Sequence, residues 1–201
     1  KGNINWMKVH EQEMHSPLFQ NIENLKPVIL SGNSDSAALD NVFELLTTSG
    51  HSAPLAKLML IPDAWSKKSK VLPKEHLQLF NFLNSSMEPW DGPAAIAGTD
   101  NEWVIVASDR NGLRPMRYTV TNEKLLFAGS ETGMIDIDEK KIIEKGRLGP
   151  GEILGIRIEK GKIFRNTEIK NYLAKEYKHF NNQIVDLDKK FPIQNEKSFF
   201  G

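Results

Sequence analysis

Apolar and polar positions along the chain follow two different periods, and the change falls near residue 90. In the first half the spacing is helical. Leu39, Val42, Phe43 and Leu46 recur at i, i+3, i+4 and i+7 behind Ser34-Asp35-Ser36, and Gly50 follows as a left-handed stop. A second helix is predicted from Pro54, which a first helical turn tolerates, with Leu55, Leu58 and Met59 on one face and Pro62 ending the run. Pro73 to Leu83 repeats the pattern through Leu77, Phe80 and Leu83. The basic stretch Ser66-Lys67-Lys68-Ser69-Lys70 between them predicts a solvated loop.

The second half reads as strands. Ala94–Thr99, Trp103–Ser108, Met116–Val120 and Leu125–Ala128 are short apolar, β-branched runs with turn residues between them. Connections this short predict an antiparallel meander, because parallel neighbours need crossovers of a dozen residues or more. Ile153–Ile158 and Lys162–Phe164 flank Glu159-Lys160-Gly161, a further hairpin. Thr167 to about Phe180 predicts a helix capped by Thr167 or Asn166, and the pattern weakens after Asn181. Helices followed by an antiparallel sheet make an α+β fold, which by itself hosts many functions.

Composition narrows the chemistry. Lys+Arg and Asp+Glu number 26 each, so the chain has no net charge and lacks the footprint of a dedicated nucleic-acid binder. No apolar run approaches the ~18 residues that a membrane span requires. The 201 residues contain no cysteine, which excludes disulfides, thiolate metal sites and a cysteine nucleophile among them. His10, His15, His51, His76 and His179 show no ligand spacing, so no zinc site is expected. The chain opens Lys1-Gly2-Asn3-Ile4-Asn5-Trp6 without an initiator Met and closes on two aromatics before Gly201, which reads as an interior piece of a longer polypeptide.

Three clusters could carry chemistry. Met87-Glu88-Pro89-Trp90-Asp91-Gly92-Pro93 fixes the backbone at a strand entrance and reads either as a pocket wall or as a rigid turn whose Trp fills the core. Asp109-Arg110-Asn111-Gly112-Leu113-Arg114-Pro115 links two strands, and its acid and two arginines can pair with one another or fork onto a carboxylate. Gly112 stands alone without the Lys-Ser/Thr of a phosphate loop. Asp35, at a helix start, suits an N-cap, or a ligand for an ammonium group where the helix end opens into a pocket.

Gly2-Asn3-Ile4-Asn5-Trp6-Met7, Ser34-Asp35-Ser36, Ile61-Pro62-Asp63-Ala64-Trp65, Met87–Pro93 and Asp109–Pro115 with Arg117-Tyr118 occur in this order. Ser130-Glu131 and Lys145-Gly146-Arg147-Leu148 follow. The set resembles the glutaminase domain of glutamate synthase large subunits, which are class II, N-terminal-nucleophile glutamine amidotransferases. The resemblance implies a four-layer αββα sandwich, here partial, with antiparallel sheets. Residues 1–180 would be the C-terminal part of the amidotransferase domain, and 181–201 a linker or the start of a following domain. It implies hydrolysis of L-glutamine by an N-terminal Cys, whose own α-amino group is the base, with an Asn-Gly pair supplying the oxyanion donors. Nucleophile and oxyanion pair would both lie before Lys1, so no catalytic residue is assigned in this chain, and the piece alone would be inactive.

One residue carries over from the family's substrate site: Asp35, as ligand of the glutamine α-ammonium. Glu88, Trp90, Asp109 and Arg114 are assigned to pocket support. The whole enzyme would pass ammonia to 2-oxoglutarate for reductive amination to glutamate. It would carry FMN and an Fe–S cluster, neither bound by this segment, and draw electrons from a small subunit or ferredoxin. A cytoplasmic or plastid location would follow. Two alternatives are another class II amidotransferase, of the phosphoribosyl-pyrophosphate or glucosamine-6-phosphate type, and a non-catalytic amino-acid-binding module of the same fold.

Overall fold

The computed structural model describes residues 21–63 and 72–178. The Gly2–Met7 motif, Ala64-Trp65, the 66–70 loop, three of the histidines (His10, His15 and His179) and the tail after residue 178 lie outside those residues. Helices α1 (Asp35–Thr48), α2 (Ala53–Leu60) and α3 (Lys74–Ser86) precede strands β1 (Ala95–Thr99), β2 (Trp103–Ser108), β3 (Arg117–Thr121) and β4 (Leu126–Gly129). Strands β5 (Ile142–Arg147), β6 (Ile153–Arg157) and β7 (Lys162–Phe164) follow, and α4 (Asn166–Glu176) completes the order. The α+β class with antiparallel pairing is as the patterns predict.

The single meander is not. The strands form two sheets, ordered β1-β2-β6-β7 and β4-β3-β5, so consecutive β2 and β3 part company at the 109–116 link. Strand β5 has no counterpart among the predicted elements and supplies the third member of the smaller sheet. The last helix also differs. Its N-cap is Arg165, whose N–H donates to the Glu168 carboxylate at 2.9 Å, and it ends at Glu176, short of Phe180.

Alternation across the larger sheet sorts its side chains. Ile96 and Gly98 of β1, Trp103, Ile105 and Ala107 of β2, Ile153 and Gly155 of β6, and Phe164 of β7 share one face by register. The helices cover that face with Leu39, Val42, Leu46, Leu55, Leu58, Phe80, Leu83, Ile169 and Leu173, forming the main core. Gly98 is required by this packing: a Cβ there would stand 2.8 Å from Phe43 Cζ of α1. Helix α2 buries all eight of its residues, so it is an internal helix rather than the one-faced helix its spacing predicts. On the opposite face Val106 and Leu154 meet Met116 and Leu148 in a second, smaller core beneath the three-stranded sheet. That sheet leaves β1 uncovered, with Ala95, Ala97 and Thr99 exposed, and Val104 of the neighbouring β2 is 41% exposed. The described layers are therefore helix, sheet, sheet. Among the described residues no helix is long and apolar enough to cross a membrane.

Candidate functional site

Asp35 is the first residue of α1, and the cap belongs to its neighbour. Ser34 is the N-cap: its Oγ accepts the Ala37 N–H at 3.2 Å and lies 3.0 Å from Ser36 Oγ. The capping role open to Asp35 in the sequence is thus taken by the Ser34 hydroxyl one residue earlier, an equally good N-cap group. The Asp35 carboxylate, half-buried, has no hydrogen bond or ion pair among the described residues. Its position in the fold follows from the direction of α1. The helix leads through Gly50 into α2, whose Ala53 N–H donates to Asp100 at the β1–β2 turn over 2.5 Å. Phe43 rests on Gly98, and Asp35 stands eight residues, about 12 Å, back along the helix, away from that turn. It does not line the cavities beside Arg117 and beside Ile142, the one between α3 and α4, or the one between residues 25–30 and α1.

Trp90 takes the core-filling role of its two readings. It is 3% exposed, its N–H donates to the Leu60 carbonyl at 2.6 Å, and its indole N–H is buried without a partner among the described residues. Gly92 lies against the ring, where a Cβ would come 2.6 Å from Cη2. Glu88 beside it is half-buried.

The 109–115 link is built around one carboxylate. Asp109 is 1% exposed at the end of β2. Its Oδ1 accepts the N–H groups of Asn111 (2.9 Å) and Leu113 (3.1 Å), and its Oδ2 those of Arg114 (3.0 Å) and Ala94 (3.2 Å). Burial pushes this carboxyl up, but the four amides outweigh it and hold it below the usual carboxylate range. The Asp–Arg pairing open in the sequence is therefore replaced by main-chain donors, and Arg110 and Arg114 are left without ion pairs among the described residues. Gly112 is at φ +66°, and a Cβ there would stand 3.1 Å from Pro150 and crowd the opposing turn.

Sequence reasoning missed a second ionic cluster beside this link. Lys57 of α2 is 1% exposed, and its Nζ donates to the Gly151 carbonyl at 2.6 Å. Burial pushes its amine down to about 7, opposed first by the Asp63 carboxylate. Asp63 itself pairs through Oδ2 with Lys170 of α4, while Oδ1 is buried without a partner among the described residues. The available signal was a lone lysine inside an otherwise apolar octapeptide. His76 is likewise buried, its Nε2 2.7 Å from Asn171 Oδ1, an inter-helix contact rather than a metal ligand set. Among the described residues no group of three His, Cys, Asp or Glu could hold a metal ion.

Of the remaining motif residues, Arg117 and Arg147 lie opposite each other across β3 and β5, and Glu131 lines a shallow cavity with Arg117 beside Gly129 and Met134. None of these has a hydrogen bond or ion pair with Asp35 among the described residues.

Comparison with known proteins gives a consistent result. A family model described as "Glutamine amidotransferases class-II" matches residues 1–182. The NADPH-dependent glutamate synthase large chain of Azospirillum brasilense is 53% identical over 175 residues, covering 87% of this chain and 12% of its own length. The corresponding Bacillus subtilis large chain is 36% identical over 203 residues, or 99% of this chain and 13% of that protein. A chloroplastic ferredoxin-dependent glutamate synthase of Arabidopsis thaliana is 38% identical over 177 residues, 87% of this chain and 11% of its own. The chain thus spans about one eighth of the relatives it matches.

Proposed function

The chain belongs to the class II glutamine amidotransferases, and from that membership we propose that it is part of the glutaminase domain of a glutamate synthase, with Asp35 binding the α-ammonium of L-glutamine. The observation that carries the reading is the 53% identity to a glutamate synthase large chain over 87% of these residues. Ammonia released from glutamine would then be used for reductive amination of 2-oxoglutarate to glutamate, in the cytoplasm or a plastid.

These residues serve binding and support. With Ser34 holding the helix amides, both carboxylate oxygens of Asp35 are open to an ammonium, in a position where the helix dipole favours negative charge. The Asp109-centred link and the Trp90 turn hold the chain at the β1 entrance. The thiolate nucleophile must come from other residues, since the 201 residues of this chain contain no cysteine, and the Asn-Gly oxyanion donors are proposed to lie outside them as well. The same donor set does not fit an Fe–S cluster, which needs thiolates, and the binding role of these residues involves neither that cluster nor FMN. Electrons would reach the complete enzyme from a small subunit or ferredoxin.

The complete polypeptide, given L-glutamine, is expected to release ammonia, and with 2-oxoglutarate and an electron donor to form two glutamates per glutamine. Ammonia release with no 2-oxoglutarate-dependent glutamate would move the chain to another class II amidotransferase. Glutamine binding without any release would make it a non-catalytic module.

A further inference from the structure

Lys57 is the residue of α2 whose side chain is out of keeping with its setting. It is enclosed on an apolar helix, and its amine meets a main-chain carbonyl, that of Gly151, rather than a carboxylate. The peptide it grips is itself connected: the Gly151 N–H donates to the Asp109 carbonyl oxygen at 2.8 Å, and the Asp109 carboxylate gathers the 109–115 link. Gly151 fits tightly at φ +70°, where a Cβ would lie 3.0 Å from Asp63 Cα and 3.1 Å from Asp63 Oδ1.

The charged groups facing Lys57 are Asp63 after α2, Lys170 of α4, Asp109 at the end of β2 and Glu152 at the start of β6. None of the three carboxylates forms an ion pair with Lys57. Asp63 binds Lys170 through Oδ2 and leaves Oδ1 buried without a partner among the described residues, Asp109 binds four amides, and Glu152 accepts the Gly149 N–H at 2.7 Å. Among the described residues Lys57 has no ion pair. An ammonium here would bear the cost of burying a charge with no carboxylate in ion-pair contact, whereas a neutral amine keeps the Gly151 carbonyl contact with no charge to desolvate.

We propose that Lys57 is a proton-operated clasp: neutral, it holds the 149–151 turn and through it the 109–115 link shut between the two sheets, and on taking up a proton it favours an opened arrangement in which the ammonium reaches water. The inference is independent of the glutaminase reading. Its sign follows from linkage. In the closed form the amine titrates at about 7, and in an open, hydrated form near the ordinary value of about 10.4. The open form therefore carries the extra proton between those two values, so closing strengthens as pH rises through that window and is level below it.

Amide hydrogen exchange of the complete polypeptide, corrected for intrinsic rate, tests this. Protection at Gly151, Leu113 and Arg114 is expected to rise roughly 50-fold from about pH 7 to about pH 9. Lys57→Met should abolish that rise. Asp63→Asn, which removes the nearest charge favouring the ammonium, should move its onset to lower pH. Protection that stays flat over the range in the unmodified protein, or that rises equally in Lys57→Met, would overturn the proposal. Should Lys57→Met not fold, the unmodified and Asp63→Asn profiles decide it between them.

Discussion

Asp109→Ala is expected to remove about 3–5 kcal/mol of stability, enough to unfold a marginal domain, as read by urea denaturation. Four main-chain N–H groups, from Ala94, Asn111, Leu113 and Arg114, end on this one carboxylate. Alanine leaves all four without an acceptor in a site that is 1% exposed. Asp109→Asn keeps the shape but directs an NH₂ at two N–H donors, so an intermediate loss is expected. The acid dependence has a definite sign. The folded carboxyl is held below its unfolded value of about 3.9, with burial opposing and the four amides prevailing. Its contribution is therefore complete above about pH 4 and is lost as pH falls through the folded value. Asp109→Asn should lack that component of acid denaturation.

Asp35→Asn in the complete enzyme is expected to raise the KM for glutamine about 10- to 150-fold, the equivalent of a charge-assisted contact of about 1.5–3 kcal/mol. The maximal rate at saturating glutamine should change little, because the contact is made to a group remote from the reacting amide. Stability should also hold, because Ser34 and not Asp35 caps the helix. Ser34→Ala supplies the contrast: about 1 kcal/mol lost in thermal or urea unfolding, with the carboxylate still in place. Unchanged glutamine kinetics in Asp35→Asn would remove the residue from the substrate site.

The legible parts of this chain were those where local and tertiary preference agree. Helix α1 shows its apolar stripe and its Gly50 stop in the sequence, and the fold uses both, while the cap falls one residue earlier than the sequence suggests, on Ser34 instead of Asp35. Strand β5 was hidden because its inward face is barely apolar. Ile142, Glu144 and Gly146 are the inward positions, while Ile143 points outward at 67% exposure. Glu144 is tolerated there because Tyr118 Oη donates to it at 2.8 Å and Arg165 pairs with it, partners that only the assembled fold supplies. Gly146 is needed because the Tyr118 ring occupies the space of any Cβ. The break between β2 and β3 was hidden for a related reason. A seven-residue link with a Gly reads as a hairpin loop, and only the inward turn of Asp109 shows that it changes sheets. The Lys57 cluster lay beyond sequence reading because its partners come from positions as far apart as 63, 151 and 170.

Strands β2 and β6 act as a party wall. Ile105 and Ile153 serve the helical side, while Val106 and Leu154, one residue along, serve the other. Neither side can melt these two strands without stripping the lining from its neighbour. The small core is thereby insured by the large one, and heat should dissolve both in a single cooperative step rather than peel the outer sheet away as a separate leaf.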